Sequence, residues 1–167
     1  MEFFCYHRDR TGSTELRTEM VEEHWSYMDR FDGSLIERGP TFHGDVLTGS
    51  VHVVELPDPA AAHAFAFGEP CWQAGAYRDL IVRRTHWQRP GGTATAGFLG
   101  LGFADPEPYD ALPAPRRDLV GFGPLLSDDG ARLLGAAVLA PTELAARDCL
   151  TGFGAVEVHH WERGGRR

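Results

Sequence analysis

The sequence predicts an α+β fold made of two ferredoxin-like halves in one chain, each with the element order β-α-β-β-α-β. The first observation is a repeat, because residues 39–89 and a weaker copy from residue 123 share a Gly-Pro pair and an Asp six residues after the Gly. The second is that both copies continue with an apolar strand, a Pro and an Ala-rich helix. The third is a final strand closed by His-Trp-x-Arg, at residues 86–89 and 160–163. Two copies of about 80 residues indicate a duplicated small domain and not a solenoid.

The first half contains every element of this order. Ser13 is a candidate N-cap for the first helix, whose apolar side chains recur every three to four residues. Pro59 favours the start of the second helix. The predicted elements are a strand at 2–7, a helix at 14–31, a strand at 35–39, a long connection at 40–49, a strand at 50–56, a helix at 59–67, a loop at 68–75 and a strand at 77–87.

The second half is predicted to lack its first helix. The segment at 105–117, which follows the first strand of this half, contains four prolines, and interior prolines remove helical hydrogen bonds and clash with the preceding turn. The other predicted elements are strands at 98–103, 119–123, 133–139 and 155–161 and a helix at 142–150. The predicted organisation is therefore a first half at 1–89, a Gly-rich linker at 90–97 and a degenerate second half at 98–167.

Composition excludes several classes of partner. The formal net charge is -8, and an acidic surface argues against nucleic acid. No apolar run reaches the roughly 18 residues that a membrane span needs, and the N-terminus lacks the pattern of a signal peptide. The three cysteines are widely spaced and odd in number, so a disulfide framework is not expected. These features predict a cytoplasmic protein that binds neither nucleic acid nor membrane.

A set of ordered features in the first half carries a family resemblance. It consists of His24 in the first helix, Gly39-Pro40, Asp45, Gly49-Ser50 and the segment GEPCWQAGAY. In this order they resemble the YciI-like (YCII-related) family of small α+β proteins. The family usually has Asp-Pro and an aromatic residue before Ala-Gly, whereas this chain has Glu-Pro-Cys-Trp. The resemblance covers residues 2–87 well and 98–163 weakly, so we interpret the chain as a tandem copy with a degenerate second half.

The resemblance implies both an architecture and a class of chemistry. Members of the family are dimers of ferredoxin-like folds whose sheets pair, with a His–Asp pair in a pocket of each subunit. We therefore expect this chain to form a pseudo-dimer of the dimeric α+β barrel type, and to be a monomer. One branch of the family eliminates chloride from a chlorinated hydroxyhydroquinone.

His24 and Asp45 are the predicted catalytic residues. Without the resemblance, His24 would be interpreted as a histidine packed against the sheet and Asp45 as an ordinary loop acid. In the family positions they suggest a dyad, in which the Asp accepts from one ring nitrogen and the other nitrogen transfers protons near neutral pH. Asp129 is in register with Asp45, but the second half has no counterpart of His24. We therefore predict one functional pocket, with the second half as a scaffold.

Several other side chains are candidates for substrate binding. Ser50 is as well explained by a strand-edge hydroxyl, and aromatic residues are more often packing residues than ligand platforms. A cysteine could act as a nucleophile if a base lowered its pKa, but a buried inert thiol is the stronger interpretation. Of the strand neighbours at positions 6 and 7, only one can point inward. The predicted substrate-binding residues are Ser50, Tyr6, Tyr27, Cys71 and Trp72.

Neither a metal nor a cofactor is predicted. Zinc sites need three or four converging ligands, and no close histidine pair with nearby acids stands out among His43, His52, His63, His86, His159 and His160. No Gly-rich phosphate loop lies in a strand-turn-helix context.

Three classes of function follow. The first is a cofactor-independent lyase or isomerase that acts on a small aromatic, phenolic or quinonoid metabolite, with natural-product biosynthesis and aromatic degradation as candidate pathways. The second is a small-molecule binding or accessory protein that keeps the pocket without turnover. The third is a structural or interaction module. The first is the predicted function, and the second is its main alternative.

Overall fold

A computed structural model describes residues 1–166 of the chain. The described residues form eight strands and five helices, which confirms the α+β class. Their contacts divide the chain into two compact units, one containing Met1–Val82 and the residues from Arg163 onward, the other Arg83–Glu162. No helix in residues 1–166 is long and apolar enough to span a membrane. The pairing of two halves as a pseudo-dimer stays a prediction.

The first unit is built on a sheet with the strand order β4-β1-β3-β2. Strand β3 runs antiparallel to both β1 and β2. Helices lie between β1 and β2 and between β3 and β4, which gives the ferredoxin-like order predicted from the sequence. The strands are β1 (Glu2–Asp9), β2 (Leu35–His43), β3 (Val46–Glu55) and β4 (Tyr77–Thr85), the last of which continues into the second unit.

The first helical segment is broken, whereas the sequence predicted one helix over residues 14–31. It consists of α1 (Thr14–Glu19) and α2 (Val21–Asp29), which meet at Met20 with φ -94° and ψ 10°. The Thr18 hydroxyl donates to the Thr14 carbonyl at 2.8 Å. Such a bond to the carbonyl four residues earlier bends helices, which gives the break a local cause.

Residues 40–49 form most of a hairpin, so the long connection predicted there is wrong. Strand β2 runs to His43, β3 begins at Val46, and the two residues between them make the turn, with Gly44 at φ 58°. Pro40 lies inside β2 opposite Ser50. Because Pro and Gly are usually turn residues, the residue types of this segment did not predict the end of β2 and the start of β3.

Two more helices complete the first unit. Helix α3 (Pro59–Phe67) has the predicted bounds, and its N-cap residue Asp58 accepts from the Ala61 N–H at 2.8 Å. A short helix, α4 (Pro70–Gln73), lies in the segment predicted as a loop. These helices place Glu69, the N-cap residue of α4, close to the end of β1.

The core of the first unit changes from apolar to polar along β1. Phe3 and Cys5 are buried with Val54, Phe65 and further apolar side chains under the helices. Because side chains alternate along a strand, His7 and Asp9 continue on this face. His7 is fully buried, and the Asp9 side chain is 4% exposed. At this polar end of the core, ionisable side chains are therefore shielded from solvent.

The second unit has the strand order β8-β5-β7-β6, with each neighbouring pair antiparallel. Between β5 and β6 the described residues contain no helix, as the prolines predict. The Thr142 hydroxyl caps the single helix by accepting from the Ala145 N–H at 3.1 Å. The elements are β5 (Ala96–Pro108), β6 (Gly121–Leu126), β7 (Arg132–Ala140), α5 (Glu143–Cys149) and β8 (Ala155–Glu162).

Candidate active site

A histidine and a glutamate meet at the polar end of the first unit's core. His24 lies in α2, and its Nδ1 is 2.7 Å from Oε1 of Glu69. The other carboxylate oxygen, Oε2, accepts from the Trp72 N–H at 2.9 Å. Glu69 is fully buried, whereas the His24 side chain is 14% exposed. The Nδ1 bond leaves the Nε2 nitrogen of His24 available to a ligand.

The structure does not bring Asp45 to His24. Asp45 is exposed in the turn between β2 and β3, and Glu69 occupies the position of the expected acidic partner. Because residues 40–49 form a hairpin and not a loop over the site, the turn carries Asp45 into solvent. The acid that pairs with the histidine comes instead from the GEPCWQAGAY segment, where the sequence departs from the family pattern.

Interactions with His24 keep Glu69 ionised. Burial by itself raises the pKa of Glu69, but the hydrogen bond and the charge interaction with His24, together with the N–H groups of Trp72 and Cys71, lower that pKa below its ordinary value. An ionised carboxylate accepts a hydrogen bond from the Nδ1–H group of His24. In the neutral form of the ring, a histidine that donates through Nδ1 has an unprotonated Nε2, which can accept a proton from a bound molecule.

A buried arginine lies beside this pair. Arg17, from α1, donates through Nη1 to Oδ1 of Asp9 and through Nη2 to Oγ of Ser50, the latter at 3.1 Å. Its guanidinium also lies over the ring of Tyr77, at 4.7 Å from the centroid. Burial disfavours the charged guanidinium, but Tyr77 and Asp9 outweigh this effect and raise the pKa of Arg17. The site therefore holds a fixed positive charge that is balanced by Asp9.

Two further histidines are buried in neutral form. His7 Nε2 lies 2.8 Å from the Ala66 carbonyl, which makes Nε2 the protonated nitrogen and leaves the buried Nδ1 without a partner. Burial, opposed by the Ala66 bond, lowers the pKa of His7 to about 4. His52 is 5.8 Å from His24 between ring centroids, and burial places its pKa well below the ordinary value. Both rings are therefore uncharged at neutral pH.

The wall of the site is aromatic and contains a thiol. The Tyr77 hydroxyl is buried without a partner, and the Tyr77 ring is 4.7 Å from that of His7. Trp72 packs against the cluster formed by Cys71, Ala76 and Tyr77. Burial, followed by the charge of Glu69, raises the pKa of the Cys71 thiol to about 12. Cys71 is therefore protonated and unsuited to nucleophilic attack in this state.

Two of the predicted binding residues lie elsewhere. The Tyr6 hydroxyl is hydrogen-bonded to the Thr41 hydroxyl at 2.9 Å, on the face of β1 opposite to His7. The Tyr27 hydroxyl donates to the Phe65 carbonyl at 2.9 Å, and the Tyr27 ring packs with Phe31 at the edge of the apolar core. Ser50, Cys71 and Trp72 are thus the predicted binding residues that the fold gathers near His24.

Some of the site could have been found in the sequence and some could not. Arg17 lies seven residues before His24, a spacing that places two side chains on one helix face. Glu69-Pro70 repeats the acid-Pro pattern of Asp58-Pro59, which marks the N-cap of a helix. No comparable signal marks Asp9, which is brought to Arg17 by tertiary packing.

One set of side chains has the composition of a metal site. The donor atoms of His24, Glu69 and Cys71 all lie within 4.8 Å of one another. Nitrogen, oxygen and sulfur donors in one place are a set that suits zinc and related ions.

The second unit contains a cavity next to α5. It has a volume of about 290 Å³, and its lining includes Leu112, Phe122, Cys149 and Phe153 but no histidine. Asp129, the counterpart of Asp45, accepts from the Ser127 hydroxyl and the Ala131 N–H in a turn. Nothing in this cavity corresponds to the His24–Glu69 pair.

The comparisons with known proteins give one family model and two solved structures that are similar to the chain. No curated protein sequence matches the chain significantly. The 5-chloro-2-hydroxyhydroquinone dehydrochlorinase of Burkholderia phenoliruptrix AC1100, solved with 2,5-dihydroxybenzoquinone, is 28% identical with a TM-score of 0.47, over 50% of this chain and 92% of that one. A candidate monooxygenase from Lactobacillus acidophilus NCFM is 9% identical with a TM-score of 0.49, over 97% of this chain and 93% of that one. The family model of the YCII-related domain matches residues 1–86, about half of the sequence, so the chain belongs to the YCII-related domain family.

Proposed function

We propose that the chain is a cofactor-independent enzyme in which His24 transfers protons on a small aromatic, phenolic or quinonoid substrate. The hydrogen bond between His24 Nδ1 and Glu69 is the observation that carries the proposal. It fixes one tautomer of the imidazole and leaves Nε2 as the acceptor. The reaction class is that of a lyase or an isomerase, because these need proton transfer and no external redox partner.

The buried carboxylate supports the charged state that forms during the reaction. When Nε2 takes a proton from the substrate, the ring becomes an imidazolium that donates to Glu69 through Nδ1. The negative charge of the buried Glu69 stabilises this cation. The same proton can then be returned to a different atom of the substrate or to a leaving group. Glu69 therefore takes the role that the sequence assigned to Asp45.

The surroundings of the dyad support a flat, oxygen-bearing substrate. Trp72, which is partly exposed beside the cluster of Cys71, Ala76 and Tyr77, offers aromatic surface on which planar rings stack. Arg17, which lies against the Tyr77 ring and whose charge is balanced by Asp9, supplies guanidinium N–H donors for a phenolic or quinonoid oxygen. Ser50 adds a hydroxyl that is already oriented by Arg17.

Turnover measurements on matched variants test the proposal. Chlorinated and hydroxylated hydroquinones are the first substrates to screen, because one branch of the family acts on such a compound. For any substrate that is turned over, His24→Ala should lower the rate by about 10²-fold or more, the scale of general acid–base catalysis. Glu69→Gln should lower it by about 10-fold or more, since the amide holds no charge to stabilise the imidazolium.

Asp45→Asn and Asp129→Asn are the control variants. Both side chains lie in exposed turns, so each change should alter the rate by less than about twofold. A loss in Asp45→Asn as large as that in Glu69→Gln would overturn the assignment of the partner. Saturable binding of a hydroquinone without turnover in any variant would instead favour a binding or accessory protein.

A further inference from the structure

We propose that His24, Glu69 and Cys71 form a binding site for a divalent ion of the zinc type, and that the ion disables His24 as a proton acceptor. The ion site itself does not depend on the proposed enzymatic function. Only the effect on His24 rests on that function.

Three different donor types converge from neighbouring elements. His24 Nδ1 and Glu69 Oε1 are 2.7 Å apart, and with the Cys71 sulfur they lie within 4.8 Å of one another. Zinc bonds to such donors measure about 2.0 to 2.3 Å, so small side-chain movements suffice to close a shell around one ion. Cys71 and Glu69 are fully buried, and His52 adds a buried Nδ1 without a partner beside His24.

The charges around the three donors favour a dication. Asp9 and Arg17 form a buried ion pair and cancel each other. Glu69 then contributes one negative charge, and Cys71 contributes a second once it is deprotonated. A divalent ion neutralises both charges in a buried place where an unpaired charge is costly. The site should therefore bind a divalent ion more tightly than a monovalent cation.

The proton balance of binding follows from the hydrogen bonds. The thiol proton of Cys71 leaves to solvent as the sulfur–metal bond forms. The proton on His24 Nδ1 cannot stay on the nitrogen that binds the ion, and it moves to Nε2 as the ring changes tautomer. One proton is thus released for each ion bound. The protonated Nε2 has no lone pair to accept a proton from a substrate.

Titration of the metal-free chain with Co²⁺ tests the site, because thiolate coordination gives a sulfur-to-cobalt charge-transfer absorption that histidines on the surface cannot produce. The wild-type chain should bind one Co²⁺ with this absorption and release it to Zn²⁺. Cys71→Ser should lose the absorption and bind at least about 100-fold more weakly, since loss of outer-shell groups alone costs 10- to 100-fold. Cys149→Ser removes a half-buried thiol in the second unit and should behave as wild type.

A second measurement does not depend on the variants. Addition of Zn²⁺ to the wild-type chain in weakly buffered solution should release about one proton for each ion bound. Absence of the charge-transfer absorption in the wild type, or its survival in Cys71→Ser, would overturn the site. If a substrate is found, Zn²⁺ should inhibit the wild type far more than Cys71→Ser. The absorption and the proton release can be measured whether or not a substrate is turned over. The proposed metal site and the proposed enzymatic function are therefore tested independently.

Discussion

Arg17 and Asp9 show what a buried charge costs when its partner is removed. Both side chains are less than a tenth exposed, and they are paired directly. Asp9→Asn would leave the buried guanidinium of Arg17 without its directly paired carboxylate. We expect the free energy of unfolding to fall by about 3–5 kcal/mol, measured by urea denaturation at neutral pH.

The ion pair of Arg8 and Asp79 is a matched control for this variant. Its nitrogen and oxygen are 3.4 Å apart, and the Asp79 side chain is 44% exposed. Water screens such a pair, so Asp79→Asn should cost less than about 1 kcal/mol. Equal losses in Asp9→Asn and Asp79→Asn would show that burial does not set the cost of the Arg17 charge.

At the scale of single residues, the sequence led to His24 but not to the acid that the structure places beside it. His24 could be identified because it lies in the apolar stripe of a helix and in a family position. The sequence paired His24 with Asp45 and not with Glu69, because both are acids next to turn residues and only the course of the backbone separates them. Asp9 and Arg17 could not be paired in advance, since a strand and a helix meet there through tertiary packing.

At the scale of elements, the helix N-caps should contribute measurably to the free energy of unfolding. Asp58 caps α3 and Thr142 caps α5, each by accepting a backbone N–H of the first turn. Asp58→Ala and Thr142→Ala should each lower the free energy of unfolding by about 1 kcal/mol, because an N–H loses its partner. Thermal or urea denaturation measures both.

Conservative variants separate capping from other effects of the substitution. Asn caps helices about as well as Asp, so Asp58→Asn should keep nearly the full stability. A loss in Asp58→Asn as large as in Asp58→Ala would mean that charge, and not the hydrogen bond, stabilises the start of α3.

Helices with clear caps were predicted closely, and the hairpin was not. The bounds of α3 agree with the sequence because Asp-Pro marks its start and a run of Ala and Phe its body. Strands β2 and β3 were cut short because Pro40 and Gly44 are usually turn residues. Pairing between strands, which decides such cases, depends on partners distant in sequence.

At the scale of the whole molecule, the buried neutral histidines make stability depend on pH. The pKa of His7 is about 4 in the folded chain and near 6.5 when exposed. Below about pH 6.5, His7 is therefore protonated in the unfolded chain but stays neutral in the folded chain. The contribution of His7 to the free energy of unfolding is fully present above that pH and falls as the pH decreases toward 4. His7 alone should lower the free energy of unfolding by about 2 kcal/mol between pH 7 and pH 5.

Urea denaturation at several pH values measures this dependence. His52, whose pKa is also lowered by burial, should add to it in the same direction. In His7→Gln, which keeps a donor for the Ala66 carbonyl but cannot titrate, the fall between pH 7 and pH 5 should become smaller. A pH profile unchanged in His7→Gln would show that this ring does not titrate as its burial requires.

Two expectations about the whole molecule stay predictions. The sequence indicates a monomer and a cytoplasmic protein. The first depends on association with other chains and the second on the location of the protein in the cell, and a single chain shows neither. The order of the strands and of the longer helical segments within each unit could be predicted, because periodicity and turn residues are local signals.

The three free cysteines differ in burial, so the rates at which they react with a thiol reagent report motions in three parts of the chain. Cys149 is half-buried, Cys71 is buried beside His24, and Cys5 is buried in the apolar core, with pKa values of about 12 for Cys71 and Cys5 because of burial. A thiol-reactive dye would reach the first by small side-chain movements, the second when the site opens, and the third when the core of the first unit unfolds. Three labelling rates, read from one sample by mass spectrometry, would therefore report surface motion, site opening and unfolding of the core. A molecule that occupies the site would slow labelling of Cys71 directly and labelling of Cys5 through stabilisation of the first unit, whereas Cys149 lies in the second unit and should react at an unchanged rate.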